Sequence, residues 1–310
     1  METCNNRLLG SEVNSRKEGG IIMASVLVTG SSRGIGMATA LAFGRAGHSV
    51  YATMRDPGRS PELAQMAEKE SLPIKVSVMD VDSDNSVKEA IGAIQKDHGS
   101  IDVLVNNAGI ERIGSIEEMD LSLFRAVMET NYFGSLRCIK AVLPEMREQK
   151  SGCIINVTSV AGRISASPLA PYNASKWAIE ALSEALAQET KMFNIRVAIV
   201  EPGIIDTAMA RRVGDGTDPS PYPQADRIAK LFTAALQNQT SPSLVGEKIL
   251  EIVESETWQL RHPVGPDAEH FLQWRASMTD EQWADFGAID DDGWYEIIER
   301  DFGMNLRPKD

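Results

Sequence analysis

The segment SVLVTGSSRGIGMATALAF, from Ser25 to Phe43, runs from an apolar stretch through Gly30, Gly34 and Gly36 directly into a helical apolar pattern. A strand that turns this tightly into a helix leaves the helix's first backbone N–H groups unpaired and aimed at one point. The positive end of the helix dipole favours an anion there. One glycine would serve any strand-to-helix turn. Three at this spacing let the backbone approach a pyrophosphate, with Ser32, Arg33 and Ile35 completing the turn. The Gly-x-x-x-Gly-x-Gly pattern differs from the commoner Gly-x-Gly-x-x-Gly dinucleotide fingerprint.

The rest of the chain continues the same alternation. SVLVT, HSVYAT, IKVSVMD, IDVLVNN, GCIINVTS and IRVAIVEP are short Val- and Ile-rich runs, as expected for parallel strands buried on both faces. Between them lie segments of helical apolar spacing, among them one long stretch, SLFRAVMETNYFGSLRCIKAVLPEMREQK. Six such strands predict an α/β chain with a doubly wound parallel sheet and helices on both faces, and WQLRHPV offers a seventh strand. We expect one catalytic domain over residues 24–265. Residues 1–23 are polar and without period and read as a disordered leader, with Met23 an alternative start. Residues 266–310 form an extension with twelve acidic residues against four basic ones and three tryptophans, Trp274, Trp283 and Trp294. Within it MTDEQW predicts a helix start, with Thr279 as N-cap and Gln282 three residues on. This helical extension is either packed on the domain or a sister subunit, or a lid over the substrate.

A net charge of −13 argues against non-specific binding to nucleic acid or an anionic membrane. No apolar run is long enough for a membrane span. Cys4, Cys138 and Cys153 have neither paired nor metal-ligand spacing, which predicts reduced thiols, no bound metal and a cytoplasmic protein.

Taken together, TGSSRGIG, NNAG at Asn106–Gly109, Asn131, Ser159, and Tyr172 with Lys176 resemble the short-chain dehydrogenase/reductase family, in its order and separations, over about Ser25 to Pro263. Within the family, HSVYATMRDPGRS and the following helix look like the hydroxysteroid and retinol dehydrogenases. The resemblance implies a Rossmann-type fold and hydride transfer between a nicotinamide cofactor and a ketone or aldehyde, or the corresponding alcohol. It also implies a homodimer or homotetramer. The chemistry is consistent with this: a reduced carbonyl needs a positioned proton donor. Tyr172 would be that acid or base. Lys176, one helical turn on, would supply a cation beside the phenol and bind the nicotinamide ribose. Ser159, at the end of CIINVTS, would hold the carbonyl oxygen, or is simply a strand-end serine. Asn131 would anchor a water linking Lys176 to solvent, or is a mid-helix residue facing solvent.

For the cofactor, the resemblance assigns the pyrophosphate to Gly30, Ser32, Arg33, Gly34, Ile35 and Gly36. It assigns the adenine side to Asp80 and Val81, Asp80 being alternatively a turn or N-cap residue. Asn107, Ala108 and Gly109 line the middle, and Pro202, Gly203, Ile205 and Thr207 the nicotinamide. The second strand ends at Met54 where an acid would select NAD(H). Arg55 follows it and Arg33 lies in the glycine turn, so two guanidiniums are placed to pair with a 2′-phosphate. NADP(H) is therefore the expected cofactor, with NAD(H) second, although both arginines could equally be solvated and Asp56 lies close by. Ile164, Leu169, Met209 and the tail tryptophans are candidate walls for an apolar or aromatic substrate. ARRVGDGTDPSPYPQAD reads as a mobile substrate loop or a linker. Two other classes share the fold, an isomerase or dehydratase that retains its nicotinamide and a non-catalytic dinucleotide sensor. The first turn and the intact Ser159, Tyr172 and Lys176 set favour neither.

Overall fold

Parallel strands need crossover connections, and the helical segments between the apolar runs supply them. The computed structural model describes residues 23–216 and 220–308. Of the predicted leader, residues 1–22 lie outside the described residues. The seven strands are β1 (Ser25–Thr29), β2 (Ser49–Met54), β3 (Ile74–Val78), β4 (Val103–Asn106), β5 (Gly152–Val157), β6 (Ile195–Pro202) and β7 (Arg261–Val264). They form one parallel sheet in the order β3-β2-β1-β4-β5-β6-β7. The crossovers carry α1 (Gly34–Arg45), α2 (Glu62–Lys69), α3 (Asp84–His98), α4 (Leu121–Met128), α5 (Gly134–Gln149) and α6 (Ala170–Thr190). After β6 come α7 (Ala208–Gly214), α8 (Gln224–Ala235) and α9 (Pro242–Glu254). The extension forms α10 (Ala268–Ala276), α11 (Asp280–Ala288) and α12 (Asp291–Phe302).

Successive strand residues face opposite sides, so each strand feeds two cores. Val26 and Val28 of β1 meet α1 and α9 through Phe43, Val245 and Ile249, whereas Leu27 between them meets α3 and α5 through Ile91 and Ile139. This fold is the doubly wound Rossmann type expected from the sequence, with helices on both faces.

The long helical stretch is not continuous. A π-helical turn, Glu129–Phe133, joins α4 to α5 and buries Thr130 and Asn131. One residue more per turn rotates the faces of α4 and α5 relative to each other, and an apolar pattern does not reveal it.

The extension begins with the capping box expected at Thr279 and Gln282. It packs its own aromatic cluster on α8. Trp294, Tyr295 and Ile298 bury against Leu231, with Phe271, Phe286 and Phe302 around them. Trp274 meets the edges of Trp283, Phe286 and Phe302 at ring separations of 5.6, 5.2 and 5.1 Å.

Helix α9 crosses α1 at Gly246, where an added Cβ would stand 2.8 Å from the Ala38 carbonyl carbon. Gly246→Ala would gain helix propensity of up to about 1 kcal/mol but must push two backbones apart, which typically costs about 1–3 kcal/mol. We expect a net loss of roughly 1–2 kcal/mol, read as a lower urea midpoint at unchanged slope.

Candidate active site

The carboxyl ends of the strands open on a cleft whose floor is the β1–α1 turn. Gly30 has φ +67°, and a Cβ there would lie 2.7 Å from the Ala108 Cα, so the turn after β1 and the turn after β4 touch. Asn107 fastens them. Its Nδ2 donates to the carbonyls of Thr29 and Gly30 at 2.9 and 3.1 Å, while Thr29 Oγ1 accepts from the amides of Asn107 and Ala108. Gly36 does not line the cleft. It is buried, and a Cβ on it would strike the Gly30 carbonyl and Asn107 at 2.4 Å.

Of the other residues assigned to the cofactor, Ser32, Arg33, Gly34, Ile35, Arg55, Asp80, Val81, Asn107, Ala108 and Gly109 line the cleft. The first turn of α1 holds no acidic residue, and its N-cap Arg33 makes no side-chain cap bond. Its amides are thus left for an anion, and the cradle fits a dinucleotide pyrophosphate. At the adenine end Asp82, which the sequence reading missed, stands beside Asp80. Burial pushes its carboxyl up, while the Thr130 hydroxyl and Arg55 draw it down. Arg33 and Arg55 are exposed and in no ion pair among the described residues. Asp56, by contrast, is occupied: it accepts from the Arg59 amide and pairs with its guanidinium at 3.4 Å.

A second cavity, about 180 Å³, opens beside the first and shares Ile35, Thr158, Tyr172, Thr207 and Met209 with it. Ser159, Pro202, Gly203 and Ile205 lie here rather than in the phosphate cleft, so the Pro202–Gly203 turn stands where the two cavities meet. Ile164, Leu169 and Met209 line it as expected. None of the tail tryptophans does; the extension contributes Phe271 instead, and Trp283 Nε1 donates to the Ser165 carbonyl at 3.0 Å from outside. The extension also holds the turn itself, because Asp267 Oδ2 accepts from the Ile204 amide at 2.8 Å.

Tyr172 and Lys176 share a face of α6 at the junction, with Nζ 5.5 Å from the phenol ring centroid. Burial dominates both. It pushes the phenol up to about 12, with Ser159 pulling down and Glu111 adding to the rise. It pulls the ammonium down to about 8, with Glu180 opposing. The neutral phenol is therefore the form present at pH 7, as a proton donor requires. Lys176 Nζ donates to the Val157 carbonyl at 2.9 Å. Ser159 Oγ donates to the Pro202 carbonyl at 3.3 Å and accepts from the Ala161 amide. Asn131 is fully buried rather than facing solvent. Its Oδ1 accepts from the Ile110 amide, and Nδ2 donates to the Ile110 carbonyl and to Ser175 Oγ, bracing the β4 loop against α6 one residue before Lys176.

The short chain dehydrogenase family profile matches residues 24–218. An oxidoreductase of Botryotinia fuckeliana is 36% identical over 263 residues, which is 83% of this chain and 95% of that protein. Retinol dehydrogenase 8 of Homo sapiens is 36% identical over 256 residues, 76% of this chain and 80% of its own. A short-chain dehydrogenase of Streptomyces avermitilis superposes with a TM-score of 0.73 at 30% identity, covering 90% of this chain and 97% of that one. A parallel sheet with a glycine turn at its first strand is a scaffold that holds dinucleotides at its strand ends. The chain belongs to the short-chain dehydrogenase family and is a dehydrogenase or reductase. Among the described residues no helix is long and apolar enough to cross a membrane, and no group of three potential metal ligands occurs.

The depressed Lys176 has a measurable consequence for stability. Between pH about 8 and the ordinary lysine value of 10.5, the folded chain binds fewer protons here than the unfolded chain, so stability rises with pH across that window. Lys176→Met removes the buried charge and also its bond to Val157. We expect the cofactor-free variant to be more stable than the parent at pH 7 by on the order of 1–3 kcal/mol and to lose that rise, in urea titrations at pH 7 to 10.

Proposed function

We propose that this protein is an NADP(H)-linked reductase of a largely apolar ketone, working in reverse as a dehydrogenase of the secondary alcohol. The observation that carries this is the meeting of Ser159, Tyr172 and Lys176 where a polar cleft along the strand ends joins an apolar cavity. The retinol dehydrogenase relative, named for an apolar alcohol, supports the apolar character of the substrate.

When bound in this cleft, the reduced nicotinamide would supply the hydride for the carbonyl carbon, and the chain's own residues handle the oxygen and its proton. Ser159 Oγ, donating at rest to a backbone carbonyl, turns its hydrogen to the substrate oxygen and fixes the carbonyl. Tyr172, neutral at pH 7, releases its phenol proton to that oxygen as the carbonyl π pair becomes a lone pair. The charge left on the phenolate is offset by Lys176 on the same helix face, which would offer its remaining N–H donors to the ribose hydroxyls of a bound cofactor. Asn131 acts at one remove, by fixing the loop and helix that position the pair.

NADP(H) is favoured because Arg33 and Arg55 border the cleft with no carboxylate claiming either among the described residues, Met54 is apolar, and Asp56 is engaged by Arg59. The last residue of β2 thus carries no acid to repel a 2′-phosphate, and the two guanidiniums at the cleft's edge would pair with it.

Tyr172→Phe should lower kcat by roughly 10²- to 10⁴-fold while NADPH affinity, measured by fluorescence titration, stays within about twofold. A variant that still turns over at the parental rate would remove Tyr172 as donor. NADPH should bind at least about tenfold more tightly than NADH, and Arg55→Asp should erase the difference. Equal affinities in the parent protein would refute the cofactor assignment.

A further inference from the structure

Two residues that line the apolar cavity beside Tyr172 each carry a buried acceptor oxygen that nothing among the described residues satisfies. Glu111, on the loop after β4, is 5% exposed. Its Oε1 accepts a 2.8 Å hydrogen bond from Arg212 Nε on α7, but its Oε2 has no partner among the described residues. Asn173, 1% exposed and next to Tyr172, donates through Nδ2 to the Ala166 carbonyl at 2.8 Å and to Ser165 Oγ at 3.3 Å. A backbone carbonyl only accepts, so this bond fixes the amide and leaves Oδ1 as the free acceptor. That Oδ1 also has no partner among the described residues. Both residues line the cavity together with Ser159 and Tyr172.

A carboxylate oxygen stripped of water with no donor in exchange destabilises the fold, unless a ligand supplies the donor. The rest of the lining argues that the ligand is not broadly polar, since Ile164, Leu169, Ile204, Val213 and Phe271 surround the same space. Resting on the reductase reading above, we propose that the substrate carries a hydroxyl group close to its reacting carbonyl, and that Glu111 Oε2 accepts that hydroxyl's hydrogen bond with Asn173 as a second acceptor. A neutral hydroxyl fits better than an ammonium because Arg212 already balances the charge of Glu111. An ammonium would add an uncompensated cation to an apolar cavity. The substrate class is therefore a hydroxy ketone on an apolar skeleton, and its product a diol. Glu111 is a specificity residue: it reads the group beside the carbonyl and so fixes which carbonyl of a larger molecule reaches Tyr172.

The test is NADPH oxidation by the full chain with ketones of one length: α- and β-hydroxy ketones, their methyl ethers, the unsubstituted ketone and an α-amino ketone. Wild type, Glu111→Gln and Glu111→Leu are compared. In wild type the better hydroxy ketone should exceed its ether and the parent ketone by about 10- to 100-fold in kcat/KM, the range of one hydrogen bond to a buried charge. The ratio should fall to within about threefold in Glu111→Leu and part of the way in Glu111→Gln, whose amide oxygen still accepts. Each ratio is taken within one variant, so a smaller folded fraction does not alter it. Arg212, half-exposed, can turn to water when its partner is removed. A wild-type ratio near one, or a ratio that survives Glu111→Leu, overturns the role of Glu111, and preference for the amino ketone overturns the hydroxyl assignment. A parallel titration of a long-chain diol against the mono-alcohol, on the NADPH-loaded wild type and Glu111→Leu, where alcohol and reduced cofactor cannot react, measures the same preference without turnover. Absence of turnover on every ketone rejects the reductase reading, whereas absence of a Glu111-dependent diol preference rejects the present inference.

Discussion

The reversal of strand order between β1 and β4 is the constraint on which the site depends. From β1 the chain steps outward to β2 and β3, then returns to lay β4 along the other side of β1, so the turns leaving these two neighbours part to opposite faces. The gap they leave is the cleft. It is kept narrow by direct contact, since Gly30 leaves no room for even a methyl group against Ala108 and Asn107 ties the two turns through both carbonyls of the first. Each later element then adds its part to a position already defined: Ser159 at the end of β5, the Pro202–Gly203 turn at the end of β6, and Tyr172 and Lys176 on the helix between them.

Most of this layout is legible in the sequence, because strands buried on both faces must be continuous apolar runs and the residues at their ends are then located by counting. Asn131 shows where counting fails. An apolar pattern reads a helix interrupted by one π turn as a single helix, and the extra residue turns a side chain that looks solvent-facing into a fully buried brace. Glu111 fails for a different reason: a carboxylate in a polar loop looks solvated, and only the approach of α7, about a hundred residues later in the chain, encloses it. Asn173 was hidden beside Tyr172, and only the fold shows it buried on the cavity wall. The extension was read correctly as helical from its capping box, but which of its aromatic side chains reaches the cavity depends on tertiary packing that the sequence does not display: Phe271 lines it and the tryptophans do not.

Charge at the catalytic junction is governed more by exclusion of water than by pairing. The phenol rises and the ammonium falls for the same reason, and the nearest acids and hydroxyls only modify that outcome. Such a site is expensive to hold in the folded state without a ligand, and the surrounding sheet and helices must supply the stability that the pair removes. The extension contributes on the substrate side: Asp267 grips the Ile204 amide, so the first residues of the extension and the turn at the end of β6 form one unit.

The crossing at Gly246 has a consequence for how the protein is made. Helix α1 forms the wall behind the phosphate turn, yet the helix that covers its outer face follows some two hundred residues later. During synthesis, which proceeds from the amino terminus, the glycine turn, NNAG and the Tyr–Lys helix all emerge while α1 still lacks its cover. The dinucleotide half is thus complete in sequence well before it can be complete in packing. Only when roughly four-fifths of the chain has left the ribosome can the first part of the binding site acquire its final rigidity.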